Sequence, residues 1–325
     1  MASLRSNGAI TCELQFASVS RRRSVDRSGR RHLQITNFGR GSGSMNAFVI
    51  SNLVFLLAVG VAGFVGSVLL GRLLVKQPEQ LRVALWWLLA AIFAASCAWV
   101  NGGWPFPPRE SQHWIGYTLL FAALLRSVRF SSAQLVSALA SATLGVAVTL
   151  LPIAQNGWPP SVFGIWFFAS LFSYLLVRLV LHNEFETASL RTPLLLAVPL
   201  FVSAVMLFFA GSVVLAELAV GGGIAVAAVY FAHRFSALGR GFVEITLLFH
   251  FLLLLNGTLY AELPPAFAWL QWIVPALVIL IGRSLRLRKR LTGGGHYVAT
   301  VTSLGLAECV VALLFYLVVK PTLPF

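Results

Sequence analysis

RGFVEITLLFHFLLLLNGTLYAELPPAFAWLQWIVPALVILIGRSLRLRKR, residues 240–290, decides the fold. Two apolar runs, 241–260 and 264–283, lie between arginine-bearing flanks. Each is about the 20 residues that a helix needs to cross a bilayer. The joint between them, Asn256-Gly-Thr-Leu-Tyr-Ala-Glu-Leu-Pro-Pro265, carries no lysine or arginine. The pair therefore reads as a transmembrane hairpin with both basic ends on one side.

The same pattern extends through the chain from Met45 onward. Ten apolar stretches read as spanning helices: 47–70, 81–100, 111–126, 133–154, 160–181, 192–211, 213–232, 241–260, 264–283 and 297–319. The third is short, and the sixth and seventh form one apolar run broken near Gly211–Ser212. Of the 16 lysines and arginines after Met45, 14 fall in the odd connections, and only Arg109 and Lys320 fall on the other side. The positive-inside rule then puts the odd connections in the cytoplasm and both Met45 and Phe325 outside.

Composition agrees. The chain has 325 residues, 58% hydrophobic and 10% charged, with a mean hydropathy of +0.85. Soluble domains carry about 25% charged residues. A single aqueous core cannot hide this much apolar surface. A cytosolic enzyme, a secreted domain and a nucleic-acid binder are excluded despite the net charge of +14. Cys12, Cys97 and Cys309 are too few and too scattered for a disulfide framework or a zinc site.

Residues 1–44 stand apart, with eight arginines, eight serines and two acids, Glu13 and Asp26. They read as a disordered basic tail, and residues 45–325 as the transmembrane domain. Eight arginines conflict with an external N-terminus. The expectation is that Met45 is the true initiator, or that the tail is a targeting segment.

Three outer connections begin with Asn-Gly and finish with Pro-Pro: 101–108, 156–160 and 256–265. Glycine stops one helix and proline opens the next. Tryptophans near that boundary fit an interfacial aromatic belt. Gly221-Gly222-Gly223 allows two readings, a broken helix at a site or a close helix crossing.

No aspartate follows Met45. That argues against aspartyl proteolysis, Asp-rich magnesium sites and aspartyl-phosphate chemistry. Three glutamates lie inside spans, where a charge is costly and a functional role is the default hypothesis. Glu308 is about 16 Å into its span, near the midplane, with Gly305 and Ala312 on the same face. His250 lies at a similar depth on a parallel span. A His–Glu pair has the composition of a proton relay, and the two are expected to face each other or share a cavity inside the bundle. Asn52, Glu217 and Asn256, nearer the outside, are candidates for an outward-facing polar pocket. Glu244 sits one turn inside its span and is expected to pair with Arg240 at i−4.

The reading is an all-α, polytopic bundle of about ten spans in a bacterial plasma membrane. Its function class is a carrier of a small or amphipathic solute, extended to proton coupling through Glu308 and His250. The alternatives are a lipid-modifying membrane enzyme using His250 or His113 as base, and a non-catalytic scaffold subunit. The balance leans away from an enzyme. The expected partners are the bilayer and a small solute, with no nucleic acid, cofactor or metal.

Overall fold

The computed structural model describes residues 42–104, 106–108, 110–127, 133–155, 157–187, 192–232, 239–289 and 294–319. They form ten α-helices: α1 (Ser42–Leu73), α2 (Pro78–Val100), α3 (Ser111–Ser127), α4 (Ala133–Gln155), α5 (Pro160–Thr187), α6 (Thr192–Phe209), α7 (Val213–Ala232), α8 (Gly239–Tyr260), α9 (Pro265–Lys289) and α10 (Gly294–Val319). No strand occurs among the described residues. Seven of the helices (α1, α2, α4, α5, α7, α8 and α10) are long and apolar enough to cross a membrane. The apolar parts of α6 and α9, Leu196–Phe209 and Pro265–Ile281, are shorter, and α3 has 17 residues. The chain is thus a multi-pass helical membrane protein. The proposed tail falls outside the described residues except for 42–44, which open α1.

Local chemistry sets the helix ends. Pro78 opens α2 at a position where its missing N–H costs nothing. Asn101 closes it: both its backbone N–H and its Nδ2 donate to the Cys97 carbonyl, at 3.1 and 2.7 Å. Gly211, at φ +85°, ends α6 in the left-handed region that a side chain disfavours. The Ser212 Oγ then accepts the Leu215 N–H at 3.3 Å and caps α7. One Asn-Gly pair departs from expectation. Asn256-Gly257 does not end its helix, because α8 runs on to Tyr260. Asn256 Nδ2 instead donates to the Leu252 carbonyl of its own helix at 2.8 Å.

The bundle is built around α8. Seven helices pack on it: α2, α3, α4, α5, α6, α7 and α9. Their mutual contacts run α2–α3–α4–α5–α9–α6–α7 and back to α2, a closed ring. The α8 span is 89% buried, whereas α1 and α10 are each 22% buried. Those two helices lie outside the ring, α10 against α6 and α9. α1 meets α7 and α2 through small residues: a Cβ at Gly63 would lie 3.1 Å from that of Ala228, and one at Gly66 would lie 3.1 Å from Leu88. Large apolar side chains such as Leu57, Ile165, Phe168, Phe172 and Leu306 face outward. Polar and charged groups such as Arg178, Ser203, Glu244, His250, Gln271 and Glu308 are buried inside. That inversion suits lipid as the solvent.

The glycine triplet is a crossing point, not a break, since α7 is continuous through it. Gly221 faces Phe55 of α1, Gly222 faces Phe249 of α8 and Gly223 faces Phe201 of α6. Three aromatic rings from three helices occupy the space that side chains would need. Gly305 behaves differently. A Cβ there meets nothing within 4 Å, so that residue does not mark a tight contact beside Glu308.

Candidate functional site

The interior polar groups fall into three levels along α8. At the basic end is an ion cluster. Glu244 Oε1 accepts Arg178 Nη2 of α5 at 2.6 Å, and Glu244 Oε2 pairs with Arg126 of α3. All three side chains are at most 7% exposed. The side chain of Arg240, the expected local partner, lies outside the described residues. α8 is surrounded, and Glu244 is aimed at arginines of neighbouring helices.

The middle level holds the two residues that the sequence singles out as a relay. His250 is buried on α8, and its Nε2 lies 2.8 Å from Ser203 Oγ on α6. Its ring packs beside Trp272 of α9, with centroids 5.7 Å apart. Glu308 is fully buried on α10, and its carboxyl adjoins the side-chain amide of Gln271 on α9. Neither carboxyl oxygen accepts a well-formed hydrogen bond. No hydrogen bond joins His250 directly to Glu308. α10 sits outside the ring, and α6 and α9 form its contacts with the bundle.

A connection exists through α6. Gln271 Nε2 donates to the Pro199 carbonyl at 3.2 Å. Pro199 and Ser203 are four residues apart, one helical turn. The polar string is therefore Glu308, Gln271, Pro199, Ser203, His250, shared by α10, α9, α6 and α8. Two of those helices carry internal prolines, Pro199 in α6 and Pro275 in α9. Proline removes the N–H owed to the carbonyl four residues earlier. For Pro275 that carbonyl belongs to Gln271, so the polar node coincides with interrupted helix ladders.

At the Asn-Gly end, Asn52 Nδ2 donates to Glu217 Oε1 at 2.8 Å and ties α1 to α7. Both are partly buried. Asn256 is buried, and its Oδ1 has no hydrogen-bond partner. A separate pocket of about 620 Å³ opens beside the α2–α3 connection, lined in part by Asn101, Trp104, Glu110, Gln112 and His113. There Glu110 N–H donates to His113 Nδ1 at 3.1 Å, and Gln112 Nε2 donates to Glu110 Oε2 at 2.7 Å. Asn52, Glu217 and Asn256 are not among the residues lining it. Among the described residues no three His, Cys, Asp or Glu side chains gather as a metal-binding group.

Sequence reasoning overlooked Gln271, Ser203, Arg126 and Arg178. Gln271 carried a signal, an amide deep in an apolar span four residues before a proline. Arg126 and Arg178 meet Glu244 inside the bundle, whereas the charge pattern assigns them to the connections. No protein-family model, curated protein or solved structure matches the chain.

Proposed function

We propose that the chain is a proton-coupled carrier of a small or amphipathic solute, crossing the plasma membrane ten times with its basic connections in the cytoplasm. The observation that supports it is the mid-bundle polar string from Glu308 to His250. Buried polar groups in a membrane interior are costly and are found where ions or substrates pass. Here they sit on four helices, two of them interrupted by proline, and interrupted helices are a recurring feature of carrier sites. α3, α6 and α9 complete the ten crossings, each helped by the helices packed against it.

Inside-out vesicles containing the chain, acidified internally and loaded with acridine orange, test the reading. A panel of small amines, amino acids and organic acids is added in turn. At least one solute is expected to release protons in wild-type vesicles and not in Glu308→Gln vesicles. Identical responses in vesicles lacking the chain would overturn the proposal.

One observation favours a second reading, a lipid-modifying enzyme. The pocket at the Asn-Gly end places His113 and Glu110 together near one membrane face. Loss of a lipid-modifying activity in His113→Ala, with Glu308→Gln unaffected, would select it over the carrier.

A further inference from the structure

We propose that the pocket beside the α2–α3 connection binds free organic ammonium ions, held by the Glu110 carboxylate and the Trp104 ring. The local sequence places both groups. Gly102 and Gly103, at φ +71° and +149°, turn the chain away from α2 in conformations that a side chain disfavours. Trp104 then packs on α3. Its ring lies 4.7 Å from that of Tyr117, centroid to centroid, and one ring atom stands 3.2 Å from where a Cβ on Gly116 would be. The indole is anchored there, yet it stays 42% exposed. In the same lining, Gln112 Nε2 donates to Glu110 Oε2 at 2.7 Å and orients the carboxylate.

The charge of the pocket selects the sign of the ligand. Among the described residues that line it, Glu110 is the one formally charged side chain. His113 adds no positive charge, because its Nδ1 accepts the Glu110 N–H at 3.1 Å and so carries no proton. No described lysine or arginine forms an ion pair with Glu110. After Met45 only Arg109 and Lys320 fall on that side of the charge pattern. Arg109 adjoins Glu110 in the chain, with its side chain outside the described residues, so the test includes it. A carboxylate repels an anion, whereas it attracts a cation, as does the face of an indole.

Size and lining decide which cation. A volume of about 620 Å³ is that of a small-molecule site and not of an ion cage. A hard metal ion takes about six or more oxygens, and among the described residues no three His, Cys, Asp or Glu side chains gather. Val100 and Val214 line the pocket beside the polar groups and suit the carbon substituents of an ammonium nitrogen. A lipid headgroup can carry the same nitrogen, but with a phosphate that Glu110 repels, which favours the free ion. Binding is measured without transport, so this inference stands apart from the carrier reading.

Calorimetric titration of choline into the purified full chain, in an uncharged maltoside detergent, tests it. Saturable binding is expected for choline and not for its neutral isostere, in which carbon replaces the nitrogen. Phosphocholine should bind more weakly than choline. Glu110→Gln and Trp104→Leu should each weaken choline binding about fivefold, the worth of one exposed ion pair or cation–π contact. Glu110→Asp and Trp104→Phe, which keep the charge and the ring, should retain most of the affinity. Arg109→Gln should bind choline at least as tightly as the wild type. Absence of saturable choline binding would overturn the proposal, as would equal binding of the isostere. So would an affinity unmoved in either Glu110→Gln or Trp104→Leu, or one lost in Arg109→Gln. Phosphocholine binding as tightly as choline or tighter would overturn the assignment to a free ion in favour of a headgroup.

Discussion

Arg178 of α5 and Glu244 of α8 meet at 2.6 Å with both side chains buried, and Arg126 of α3 holds the other carboxylate oxygen. One carboxylate thus pins three helices at the basic end. In a buried pair the desolvation cost has already been met, so removing one partner leaves an uncompensated charge, at about 3–5 kcal/mol. Glu244→Ala is expected to destabilise by that amount in denaturant unfolding followed by circular dichroism. In an Arg126→Met/Arg178→Met background the same substitution should cost far less, because no guanidinium is stranded. Equal costs in both backgrounds would mean that Glu244 does not act through these arginines.

Ser203→Ala removes the hydroxyl that faces His250 at 2.8 Å. Interhelical hydrogen bonds in membranes average about 0.6 kcal/mol, with a maximum near 1.7 kcal/mol. The variant should lose stability within that range. Ser203→Thr, which keeps a hydroxyl, should lose less unless its extra methyl collides. A double-mutant cycle with His250→Phe measures the coupling, and a coupling of zero would assign the two residues to separate roles.

The fold was legible because lipid writes it into composition. Apolar runs of spanning length and the placement of arginine located all ten helices, including the α6–α7 break at Gly211. Partners were harder to read. Glu244 looked like a residue on a helix surface with a local partner. Only the packing shows that α8 is enclosed on every side, which turns each of its polar side chains toward another helix. Depth alone placed His250 beside Glu308. It could not show that α10 lies outside the ring, with Gln271 and Pro199 intervening.

Gly222 allows a sharp packing test. A Cβ added there would collide with the Phe249 ring, which is itself stacked on Phe93 at 4.1 Å and has little room to move. Overpacking of this kind costs about 1–3 kcal/mol. Gly222→Ala should lower the thermal midpoint by a corresponding amount. Gly305→Ala meets nothing within 4 Å and should be neutral or slightly stabilising, since alanine favours helix over glycine. If both variants behave alike, the crossing of α7 and α8 is not as close as described.

The three short helices decide the span count, and single cysteines in an otherwise cysteine-free chain can test each. A membrane-impermeant thiol reagent is applied to intact cells. With the basic connections inside, Gly103→Cys should label and Ser127→Cys should not, because α3 separates them. Ser212→Cys, in the α6–α7 turn, should label, as should Glu262→Cys between α8 and α9. Lys76→Cys and Lys289→Cys should label only after the cells are opened. The physical basis is that 14 of 16 positive residues after Met45 sit on one side of a ten-span arrangement. Removing any one crossing would transfer every later connection to the opposite face and mix the charges. Labelling of Gly103→Cys and Ser127→Cys from the same side would show that α3 does not cross. The same comparison at Glu262 and Lys289 decides α9, and labelling of Ser212→Cys only in opened cells would remove the crossing by α6.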